Sequence, residues 1–137
     1  MRSAAARYAA VQDSAASAQD IEIRAFTYVN GLLAAAGQGR AARIQALYKT
    51  HRLWSLLLDD LLSDGNRLPP ELRARLVSLG LWAQRESLAR MSDEGSVEPL
   101  IALHRDLAEG LAAQRRGAGA PGDGGGPAAP PFAASVA

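Results

Sequence analysis

Apolar positions recur at helical spacing through most of the chain, and nowhere do they alternate as a half-buried strand would. The densest run, Leu53 to Met91, reads as two helices with a break between them. Its first arm sets Leu53, Trp54, Leu57, Leu58, Leu61 and Leu62 on one wide apolar face. Gly65 stands where a left-handed helix cap is usual, and Asn66 continues the break. Leu68-Pro69-Pro70-Glu71 restarts the chain, because a proline near the first helical position loses no intrahelical bond. The second arm carries Leu72, Leu76, Leu79, Trp82 and Ala83, with Val77, Leu81 and Leu88 off that stripe. An arm apolar on more than one side reads as the central helix. A turn centred near Asn66 sets Asp59 and Asp60 across from Arg73 and Arg75, and turns Trp54 toward Leu79.

The flanking segments supply two more helices. Ser17-Ala18-Gln19-Asp20 has the form of a capping box. Ile21, Ala25, Tyr28, Val29, Leu32, Leu33 and Ala36 then follow at helical spacing, which leaves Phe26 off the stripe. Gly37-Gln38-Gly39 stops this helix, and the next runs from about Arg40 through Ser63 with Ile44, Leu47, Tyr48 and His51 on its early face. After the loop Ser92 to Gly95, Ser96 is a candidate cap and Pro99 falls in a first turn. Val97, Leu100, Ile101, His104, Leu107, Ala108 and Leu111 form the last apolar face.

The predicted fold is all-α: a four-helix up-down bundle over residues 17–114. Residues 1–16 form an N-terminal arm or short helix whose sizeable apolar anchors are Tyr8 and Val11. Residues 115–137, rich in glycine, proline and alanine, form a disordered tail.

Composition narrows the function classes. One domain of this size holds one core. The chain has no cysteine, so disulfides and thiolate metal sites are excluded. Its net charge of +1 is too balanced for a dedicated DNA binder. No apolar run has the ~20 residues that a membrane span needs. The start, Met1-Arg2-Ser3-Ala4, lacks the apolar region of a secretory signal. A soluble, cytoplasmic protein is expected.

Catalytic chemistry needs a constellation, and the sequence offers none. His51 and His104 are single and sit at core-facing positions. Asp59 and Asp60 splay about 100° apart on a helix and cannot readily share a proton or a metal. No HExxH, CxxC or phosphate-loop pattern occurs. No enzyme activity, metal or cofactor is expected. Arg67, Arg73, Arg75, Arg85 and Arg90 make one helix locally basic, which reads as a solvated face with RNA contact as the alternative. Trp54 and Trp82 read as core residues staggered between helices; the functional alternative is an aromatic anchor lining a groove for a partner's helix. Folded on paper, Tyr28, Tyr48, His51, Trp54, Trp82 and His104 form a mid-bundle belt.

Several of these landmarks carry a family resemblance. Arg52-Leu53-Trp54, Asn66, Leu68-Pro69, Leu79, Leu81-Trp82, Leu100-Ile101, Arg105 and Glu109-Gly110-Leu111 resemble the FlaF family of flagellar biosynthesis regulators. Upstream, Tyr8 and the stretch from Ser17 to Phe26 are similar to that family's helix start, with Ala18 and Gln19 in place of its Pro-Arg. The resemblance spans about Tyr8 to Leu111. It implies a cytoplasmic, non-enzymatic protein that supports flagellin synthesis and export, with flagellin as partner and FlbT as a further candidate. The expected activity is that of a flagellin-binding secretion chaperone and regulator; the alternative is an RNA-linked post-transcriptional regulator of flagellin translation. Tyr8, Val11, Phe26, Trp54 and Trp82 are the candidate partner-binding residues, with the groove near the start of the helix that opens at Ser17.

Overall fold

The computed structural model describes residues 20–119, and among these it contains four α-helices and no strand. Helix α1 occupies residues 20–34 and passes into a 3-10 turn, Ala36–Gln38. Helices α2 (Arg40–Leu61), α3 (Pro70–Met91) and α4 (Glu98–Gly119) follow. The all-α four-helix bundle is the predicted one. None of the described helices is long and apolar enough to cross a membrane. The capping box at Ser17 and the arm lie outside the described residues.

Local sequence explains most of the boundaries. Gly39 separates α1 from α2 with a φ of 158°, a conformation side chains disfavour. Pro69 and Pro70 open α3, and the first helical bond runs from the Arg73 N–H to the Pro69 carbonyl. The Ser96 hydroxyl accepts the Glu98 N–H, and so caps α4. The end of α2 differs from expectation. Gly65 does not take a left-handed φ. Instead Ser63 donates its hydroxyl to the Asp60 carbonyl at 2.7 Å, and the Asn66 side chain accepts the Leu68 N–H while donating to the Asp60 carboxylate. A polar staple, not a glycine, ends this helix. Helix α4 also outlasts the predicted boundary at residue 114, reaching Gly119. Ala112, Ala113, Gln114 and Arg116 are good helix formers, and cations suit a helix C-terminus.

The central helix is α2, not α3. Helix α2 buries Ala46, Leu47, Thr50, Trp54, Leu58 and Leu61. Helix α3 buries only Gly80, Ala83 and Ser87, a stripe of small residues that lets the two backbones close together. A Cβ on Gly80 would stand 2.8 Å from Leu58 Cδ2 and 2.9 Å from Trp54 Cε3. The larger apolar residues Leu81 and Leu88 stay exposed. At the close approach Trp54 meets Gly80, the neighbour of Leu79 in the chain. On the same helix Gln84 donates to the Ser55 hydroxyl and to the His51 carbonyl.

Among the described residues, the ion pairs seen at the hairpin are not those expected between Asp59 or Asp60 and Arg73. Asp59 is exposed, and Asp60 turns to Asn66 and to α1. The charged clasp of the hairpin lies at its other end. There Arg43 donates to the Arg90 and Gly95 carbonyls, and its guanidinium stands 3.7 Å from Asp93. Arg90 in turn pairs with Glu86 and Asp93. A Cβ on Gly95 would collide with the Arg90 guanidinium.

Gly80→Ala should lower stability even though alanine is the better helix former by ~1 kcal/mol. The added methyl must displace a tryptophan ring, and overpacking of this kind costs about 1–3 kcal/mol. Urea denaturation would read the change. Leu47→Ala or Leu100→Ala, at fully buried positions, should cost ~2–5 kcal/mol by the same assay.

Candidate functional site

The face that α1 buries is turned from the one its spacing predicts. Phe26 is 4% exposed and belongs to the core, whereas Tyr28 is 56% and Ile21 64% exposed. The buried stripe is Phe26, Val29, Leu33 and Ala36, about 60° around the helix from the predicted one. The rotation is set by what Phe26 meets. Its ring stacks on the His104 imidazole at 5.4 Å between centroids and lies tilted to the Trp54 ring at 5.9 Å. Trp54 and His104 stack at 6.1 Å. Tyr28 and Tyr48 are mostly exposed, so the predicted belt of six gives way to this three-ring stack.

A buried hydrogen-bond chain runs beside the stack. The Trp54 Nε1–H donates to His104 Nε2 at 2.9 Å, which makes that nitrogen the acceptor. The proton of the neutral ring therefore sits on Nδ1 and is donated to Asn30 Oδ1 at 3.0 Å. The Asn30 amide nitrogen then donates to the Ile101 carbonyl, also at 3.0 Å. Each donor in the chain finds an acceptor, as burial demands. Three helices are joined by it: α1 through Asn30, α2 through Trp54 and α4 through His104. Burial pushes the His104 pKa down to about 4.

At the end of the bundle where α2 hands over to α3, the stack becomes the floor of an open apolar groove. Phe26 and Trp54 form the base. Leu57 and Leu61 of α2, Leu76 of α3, and Leu107 and Leu111 of α4 form the walls, with Leu68 of the connecting loop at the edge. Its volume is about 100 Å³, of the order of the ~150 Å³ apolar cavities that accept a benzene-sized guest. Two carboxylates, Glu22 and Asp60, are the polar members of its described lining. The Glu22 pKa is raised, first by desolvation and then by the negative charge of Asp60.

The candidate residues thus separate. Phe26 and Trp54 meet in the groove floor, near the start of α1 as expected, but as packed rings rather than as protruding anchors. Trp82 is half-buried on α3, packs against the core, and does not line the groove. Tyr8 and Val11 lie outside the described residues. Glu22 was not singled out in the sequence, and Asp60 was read beside Asp59 rather than with Glu22. The available signal was the one-turn spacing from Glu22 to Phe26, hidden while the stripe was drawn through Ile21. Among the described residues no group of three or more histidine, aspartate or glutamate side chains is placed to hold a metal ion.

Because His104 is neutral when folded and ordinary when unfolded, stability is full above pH ~6.5. It falls as the pH drops toward 4, where the unfolded chain binds a proton the folded chain refuses. A shift of this size corresponds to ~3 kcal/mol. Urea midpoints at pH 7 and pH 4.5 should differ for the wild type, and His104→Gln should start lower and lose less over that interval.

A sequence profile described as flagellar protein FlaF matches residues 4–111 of the chain. No curated protein and no solved structure matches it.

Proposed function

The chain belongs to the FlaF family of flagellar proteins, and from that premise we propose that it binds flagellin as a cytoplasmic secretion chaperone, supporting flagellin synthesis and export by binding and not by catalysis. The observation that carries this reading is the groove at the bundle end, an apolar recess whose lining comes from all four helices. Flagellin's terminal segments are unstructured before assembly and amphipathic afterwards, so their apolar faces need cover on the way to export. A recess that accepts one or two bulky side chains of a helix provides such cover. FlbT is a second candidate partner.

The RNA alternative has less support. It relies on the arginine face of α3, where Arg90 is already tied to Glu86 and Asp93. The two readings differ in salt dependence. RNA affinity falls with a log–log slope of about −0.7 per neutralised phosphate on a single strand, so several contacts give a steep loss.

Purified protein should retain monomeric flagellin in a pull-down, with little loss between low and high salt. Flagellin lacking the responsible terminal segment should not be retained. Retention of flagellin mRNA in place of flagellin, lost steeply with salt, would favour the RNA reading instead.

A further inference from the structure

We propose that the groove is selective: it takes a partner helix that presents a bulky apolar side chain with an arginine or lysine one turn away, the cation docking between Glu22 and Asp60. This deepens the flagellin-binding reading and rests on it for the identity of the client.

Two carboxylates share the recess. Glu22 and Asp60 flank the same recess closely enough for the charge of Asp60 to raise the Glu22 pKa. Burial disfavours the Glu22 charge, and the like charge of Asp60 disfavours it further. The described lining holds no lysine or arginine to offset them. Among the described residues, Asp60 receives a neutral amide donor, from Asn66 at 3.3 Å. A cation brought by the partner would meet both carboxylates and form charge-assisted hydrogen bonds, the stronger kind. A neutral or acidic segment at this place would leave the two charges opposed or worsen them, so the pair acts against wrong partners as well as for the right one.

The lining also decides the partner's conformation. Apart from the two carboxylates its described part is made of leucine and aromatic side chains. An extended peptide would bring backbone N–H and C=O groups that find no partners there. A helix satisfies its own backbone and presents only side chains. A recess of about 100 Å³ suits one large apolar anchor, and because the two carboxylates line the same recess, the cation that meets them belongs on the anchor's own helix face, three or four positions along.

The test uses the full chain. Binding of monomeric flagellin is measured for the wild type and for Glu22→Gln/Asp60→Asn, which keeps shape and removes charge, and for Glu22→Lys/Asp60→Lys, which reverses it. The neutral variant should bind roughly tenfold more weakly and the reversed variant more weakly still, with helical circular dichroism unchanged. Wild-type binding should also weaken as the pH falls through the raised Glu22 range, and Glu22→Gln should flatten that profile. Equal affinity of all three proteins for flagellin would overturn the proposal while leaving the chaperone reading intact.

A second arm is independent of flagellin. In an amide-correlation NMR titration, a helical model peptide with leucines at i and i+4 and a neighbouring arginine should shift the Glu22, Asp60, Leu61 and Leu111 signals. Its arginine-to-glutamate counterpart should not. Such shifts in a protein that fails to bind flagellin would uphold the groove and sink the client assignment. No shifts with either peptide would overturn the groove. Contacts from the Tyr8 ring to the Leu57 or Leu76 methyls in the free protein would give the recess to the chain's own residues 1–19. A dimer broken by Glu22→Lys/Asp60→Lys would give it to a second copy. Either result overturns the proposal.

Discussion

The structure depends on how three helices agree about one imidazole. His104 is fully buried, and both of its nitrogens are taken, one by Trp54 from α2 and one by Asn30 from α1. The ring cannot turn over or change tautomer without leaving a buried donor facing a donor, which costs more than the bond itself was worth. This fixes the rotation of α1, the height of α4 and the rotamer of Trp54 together. Phe26 then lies flat against the imidazole and follows from that arrangement. Apolar packing alone would tolerate more than one rotation of α1, since Ile21 is as apolar as the residues actually buried and Tyr28 offers a large ring. The hydrogen-bond chain selects one of them.

Helix α3 obeys a different rule. It is held by α2 through closeness rather than bulk, with Gly80, Ala83 and Ser87 forming the seam. Leucines are therefore pushed to the flanks, where some remain exposed and others, such as Leu76, reach the groove. The far end of the hairpin is secured by Arg43, whose guanidinium reaches carbonyls on both sides of the α3–α4 junction. Arg43 thus takes up a carbonyl at the end of α3, while Ser96 caps the start of α4.

The elements were largely legible in the sequence, because leucine periodicity and Gly/Pro punctuation are local signals. Pro69-Pro70 and Gly37-Gln38-Gly39 marked real boundaries. Faces were less legible. The buried side of α1 is decided by partners on other helices, so a stripe through Ile21 and Tyr28 fitted the spacing as well as the true one. Counting apolar residues made α3 look central, although a helix can be closely packed through its smallest residues. The staple at Asp60, Ser63 and Asn66 was misread because a nearby glycine offered a more familiar stop. Of the candidate site, Trp54 was legible as a core residue, whereas Phe26 was set off the buried stripe of its helix. The pairing of Glu22 with Asp60 was not legible, since two carboxylates in separate helices give no sequence sign that they share a hollow.

The reach of the hydrogen bonds along the chain has a kinetic meaning. Ser55 and Gln84 are 29 residues apart, whereas Asn30 and His104 are 74 apart. Closing the shorter loop loses less chain entropy, so the α2–α3 hairpin is the natural nucleus and the outer helices arrive afterwards. Asn30 and His104 satisfy each other, so α1 and α4 each gain most once the other is in place. They should also leave together, as one cooperative opening unit in native-state hydrogen exchange, at a free energy below that of the hairpin. The recess between them would then be a transient property of the molecule, present while the outer pair is docked and abolished each time it lifts away.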